Sequence, residues 1–80
     1  MSNIKQQKCF VDTIISNDGY KLCSSVICSS EINGEILSIK RYETGMNEVI
    51  KEFESILLNK YGINKVEWYR NYKNEKNTII

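Results

Sequence analysis

The stretch Glu35–Gly62, EILSIKRYETGMNEVIKEFESILLNKYG, changes its hydrophobic period partway along, and that change sets the fold. Glu35 to Glu43 reads as a strand. From Met46 onward the apolar residues Met46, Val49, Ile50, Phe53, Ile56 and Leu57 recur at helical spacing. Asn47, Glu48, Lys51, Glu52, Glu54 and Ser55 take the opposite side of that helix. Thr44 or Asn47 is placed to cap its start, and Gly62 to end it in a left-handed conformation.

Working back toward the N-terminus, Asn33-Gly34 is the strongest short hairpin signal in the chain. It joins the Glu35 strand to an extended segment over Tyr20 to Ile32. Asn17-Asp18-Gly19 marks a second tight turn, before which Cys9 to Ser16 (CFVDTIIS) is rich in β-branched residues. Past Gly62, Val66 and Trp68 alternate with Lys65 and Glu67, so Lys65 to Tyr72 forms a short fourth strand. The expected fold class is α+β: a three-stranded antiparallel meander, one amphipathic helix on one face, and a short fourth strand, in the order β-β-β-α-β. Residues 1–80 make one domain, with 1–8 and 73–80 expected to be flexible because both ends are polar.

Hairpin arithmetic assigns the faces. With Asp18-Gly19 as a two-residue loop, Val11 faces Val26, Ile15 faces Leu22, and Cys9 faces Cys28. With Asn33-Gly34 as the next loop, Cys28 faces Ile39 and Ile27 faces Lys40. One sheet face then carries Cys9, Val11, Ile15, Leu22, Val26, Cys28, Leu37 and Ile39, the better core and the side for the helix. The other carries Phe10, Asp12, Ile14, Lys21, Cys23, Ile27, Ile36, Lys40 and Tyr42. A one-residue slip would exchange the two.

Composition excludes several chemistries. The net charge is +1 with 26% charged residues, so the chain is neither an acidic mimic of nucleic acid nor a basic coat for it. A hydrophobic share of 41% suffices for one two-layer core. No apolar run is long enough to cross a membrane or to follow Lys5 and Lys8 as a signal peptide. Together with three cysteines, an odd number, this points to reduced thiols in the cytoplasm of a bacterial host cell. Ala, Pro and His are absent while Ile, Asn and Lys abound, a bias of AT-rich genomes.

Without histidine the commonest general base and the commonest metal ligand are missing. Cys23 and Cys28 lie an odd number of residues apart on one strand and point to opposite faces, so no metal site and no cofactor are expected. The meander, crossover helix and parallel-capable fourth strand resemble the first half of the ribonuclease H fold. That resemblance would give Asp12 and Glu48 the positions of its first two catalytic carboxylates. Where its next Asp belongs this chain has Arg70 and Asn71, so two-metal cleavage lacks its ligand set and no enzyme is expected.

Two surfaces remain. The sheet face away from the helix mixes Phe10, Ile14, Ile27, Ile36 and Tyr42 with Lys40. The last strand interleaves Trp68, Tyr69 and Tyr72 with Lys65, Arg70 and Lys73. These nine, Phe10, Ile14, Ile27, Ile36, Lys40, Tyr42, Trp68, Tyr69 and Arg70, are the candidate partner-binding residues. The expected function is a non-catalytic inhibitor or regulator docking on a larger protein target. In size, charge and base usage the chain is similar to phage-encoded anti-defence proteins, anti-CRISPRs among them. A homodimer closing sheet on sheet is a further expectation. A nucleic-acid-binding module using the basic-aromatic C-terminal strand is the weaker alternative.

Overall fold

The computed structural model describes residues 6–74, with side chains described for all of these but 17, 18 and 72–74. Strand β1 (Gln6–Asp18) leads into β2 (Lys21–Ile32) and β3 (Glu35–Tyr42), followed by helix α1 (Met46–Tyr61) and strand β4 (Lys65–Asn74). The fold is α+β, a mixed four-stranded sheet in the order β3-β2-β1-β4. Both hairpins are antiparallel, whereas β4 runs parallel to β1. Parallel neighbours need a crossover connection, and α1 supplies it. Strand pairing reaches Gln6 and Asn74, further out than the polar ends suggest. The rest of the two segments expected to be flexible lies outside the described residues.

The second hairpin has the expected register, with Cys28 opposite Ile39 and Ile27 opposite Lys40. Asn33 and Gly34 both take positive φ, 54° and 84°, as a two-residue I′ loop requires. The first hairpin departs from expectation. Its loop is Gly19-Tyr20 rather than Asp18-Gly19, so Asp18 pairs with Lys21, Val11 with Cys28, Ile15 with Ser24, and Cys9 with Ser30. Gly19 has φ 69° at the first loop position, a conformation that glycine adopts at little cost. Ser30 holds the same register, its hydroxyl donating to the Lys8 carbonyl at 2.8 Å while accepting from the Gln7 amide. The shift is two residues, so every side chain keeps its face and only the partners change.

The core lies between α1 and the face carrying Cys9, Val11, Val26 and Cys28, which meet Val49, Ile50, Phe53 and Leu57 of the helix. Ile32, Leu37, Ile39, Val66 and Trp68 pack around its margin. Phe53 is wholly buried and meets Trp68 edge-on, centroids 5.8 Å apart. Ile15 and Leu22, expected in the core, share its face but stay 37% and 71% exposed. β3 pairs only with Ser25 to Ile32 and β4 follows β1 only as far as Ile15, so Ile15 lies at the last rung of the wider sheet and Leu22 beyond it, where the β1–β2 hairpin continues as two strands. The radius of gyration is accordingly 14.8 Å, against roughly 11–12 Å for a compact chain of this length.

The helix starts without the side-chain cap expected of Thr44 or Asn47. Gly45 is the N-cap, and the Thr44 hydroxyl instead donates to the Tyr42 carbonyl at 3.0 Å, bracing the turn after β3. At the other end Gly62 has φ 69°, as expected, and its N–H donates to the Leu58 carbonyl while that of Ile63 donates to Leu57. Two carbonyls that the helix leaves unpaired are thereby satisfied, and Ile63 turns into the core.

Candidate docking face

The sheet face away from α1 is built in cross-strand rows. One row runs Ser38, Ser29, Phe10, Tyr69; the next runs Lys40, Ile27, Asp12, Asn71. A third brings Tyr42, Ser25 and Ile14 together, and a fourth Ile36, Glu31, Lys8 and Glu67. No described element covers this face, because the one helix lies on the other side. Phe10 is 43% exposed, Tyr69 40%, Tyr42 63% and Ile36 76%, while Ile14 and Ile27 are half-buried between their neighbours.

Specific contacts set the geometry. Phe10 and Tyr69 stack, centroids 5.4 Å apart and planes inclined by 26°. The Asn71 amide donates to Asp12 Oδ1 at 3.2 Å, tying β4 to β1 on the same face. Lys40 Nζ sits 5.0 Å from the Tyr42 ring centroid, a cation over an aromatic face. Beside the small Ser29 side chain a hollow opens, lined by Phe10, Ser29, Ser30, Glu31 and Ile36. Lys8, Lys21, Lys40 and Lys65 stand against Asp12, Glu31 and Glu67 on the face.

The nine sequence-nominated residues divide. Phe10, Ile14, Ile27, Ile36, Lys40, Tyr42 and Tyr69 share this face. Trp68 and Arg70 do not, since they register with Cys9 and Val11 on the helix side. Trp68 is half-buried there, its indole N–H donating to Glu54 Oε2 at 2.8 Å. The basic-aromatic strand therefore splits its aromatics between two faces instead of forming one stacking track. Strict alternation along β4 already contains that split. The Phe10–Tyr69 stack, in contrast, depends on the parallel β1–β4 register, which a long crossover does not reveal. Ser25, Ser29, Ser38 and Asn71 complete the face and carry no sequence signal beyond their position.

The other chemistries nominated by sequence are separated in space. Asp12 lies on the open face and Glu48 in the first turn of the helix, with the sheet between them. Cys9 and Cys28, expected to be opposed, are diagonal neighbours; both are free and buried. Burial raises the Cys28 thiol to about 11, with nearby Cys9 and then Glu52 and Glu54 adding to the effect. Burial likewise raises Cys9, opposed by the hydrogen bond to Ser30. Such thiols are protonated and inert at neutral pH. Among the described residues no three His, Cys, Asp or Glu cluster to hold a metal ion, and no helix is long and apolar enough to cross a membrane. No protein family, curated protein or solved structure matches this chain.

Proposed function

We propose that this chain is a non-catalytic binding protein, a small inhibitor or regulator that docks its open sheet face on a larger protein. One observation carries the reading: Phe10, Ile14, Ile27, Ile36, Tyr42 and Tyr69 lie together on a face that no described element covers. Solvated sheet faces ordinarily alternate to polar residues, and a contiguous apolar patch with interspersed charge is the usual composition of a partner site. The near-equal count of cations and anions on the face suits a partner held by shape and desolvation more than by long-range steering. Action against a defence system, as by phage-encoded proteins in a bacterial cytoplasm, is part of the same proposal and rests on size, charge and base usage.

Affinity capture from the native host tests it. The wild-type chain is expected to retain one larger protein at a defined stoichiometry. Phe10→Ser with Ile27→Ser is expected to lose that protein while remaining folded. Retention of nucleic acid in place of protein, reversed by nuclease, would overturn the reading, as would equal capture by the double variant.

A further inference from the structure

The open face is bounded by β4, the longer of the two sheet edges among the described residues: ten residues against eight in β3. Exposed edges are normally blunted by brevity, bulges, proline, charged side chains or a covering element. Here β4 pairs with β1 without interruption from Lys65 to Asn74, contains no proline, and contributes only Val66 and Trp68 to the core margin; the charged residues it carries, Lys65, Glu67, Arg70 and Lys73, are of both signs. On the opposite edge Arg41 pairs with Glu52 and Lys40 lies over the Tyr42 ring.

We propose that β4 pairs antiparallel with the β4 of a second copy of this chain, around a twofold axis through Tyr69. The occupant is argued from complementarity in that register. A twofold perpendicular to the sheet keeps each side chain on its own face and sets residues equidistant from Tyr69 opposite each other. On the open face Tyr69 meets its own copy, which prolongs the Phe10–Tyr69 stack across the axis, and Glu67 meets Asn71, a carboxylate opposite an amide donor. On the helix side Trp68 meets Arg70, a guanidinium beside an indole. Lys65 falls opposite Lys73 only at the ends of the ladder, where solvent screens like charges. The two sheets join into one, and both open faces point the same way, doubling the docking surface without covering it.

Sedimentation equilibrium of the full chain from micromolar to millimolar concentration tests this, with circular dichroism as the check on folding. The wild type is expected to approach twice the monomer mass. Asn71→Glu sets two carboxylate pairs against each other and is expected to raise the dissociation constant roughly tenfold, whereas Asn71→Lys lowers it by a similar factor. Combining Glu67→Lys with Asn71→Glu swaps the charges and is expected to restore dimer relative to Asn71→Glu alone. A wild type that stays monomeric throughout overturns the proposal, as does a dimer on which the Asn71 variants have no effect. Failure here leaves the open-face reading standing, because that reading is tested on Phe10 and Ile27.

Discussion

Phe53 lies where the helix stripe, the sheet core and β4 meet, wholly buried and edge-on to Trp68. Truncating it removes a large apolar surface and leaves a cavity that surrounding strands cannot close. Phe53→Ala is therefore expected to cost ~3–5 kcal/mol, read from denaturant unfolding. Cys28 makes a prediction about pH. Its folded-state thiol is raised from 9.0 to about 11, so between those values the unfolded chain loses a proton that the folded chain keeps. Rising pH then favours unfolding: the contribution is full below pH 9 and is lost as pH climbs through 11. Cys28→Ala should flatten the stability profile over that window, measured as unfolding midpoint against pH; an unchanged slope would assign the alkaline loss to other groups. The burial of Phe53 is legible from its place on a 3.6-residue stripe. Its pairing with Trp68 is not, because that contact depends on how β4 returns.

At the scale of elements, turn chemistry and periodicity recover all four strands and the helix, and they recover both sheet faces. What they miss follows from local degeneracy. Asn17-Asp18-Gly19-Tyr20 offers two loops one residue apart, whose strand pairings differ by two residues, so both keep the same faces. The choice between them is made by Gly19 at φ 69° and by the Gln7–Ser30–Lys8 hydrogen bonds, a tertiary arrangement. The helix start shows the same limit: Thr44 has the side chain of a cap but spends it on Tyr42, leaving Gly45 at the boundary. The helix end is less ambiguous, since only glycine takes a left-handed φ of 69° without strain. No atom would crowd a Cβ at Gly62, so the penalty there is conformational alone. Gly62→Ala should cost about 1–2 kcal/mol in unfolding free energy; a neutral or stabilising result would mean that the cap geometry is not retained in solution.

The whole molecule divides its sheet between two tasks. One face folds the chain by meeting α1, and the other keeps an apolar patch in contact with water. Asp12 faces away from the helix that carries Glu48, so the two carboxylates singled out by the resemblance to a ribonuclease H fold are not brought together. Membership of the open face was readable for Phe10, Ile14, Ile27, Ile36, Lys40 and Tyr42 because a two-residue register error preserves parity. Trp68 and Arg70, nominated by the composition of the last strand, fall on the helix side by the alternation of β4. If folding and binding do occupy opposite faces, removing the patch must leave the fold. The decisive measurement is equilibrium unfolding of Phe10→Ser with Ile27→Ser beside Phe53→Ala. The double variant is expected to unfold cooperatively with a loss of about 1–2 kcal/mol, well short of the Phe53→Ala loss, because its side chains keep much of their surface in water in the native state. A double variant that is unfolded, or that loses as much as Phe53→Ala, would show that the open face belongs to the core.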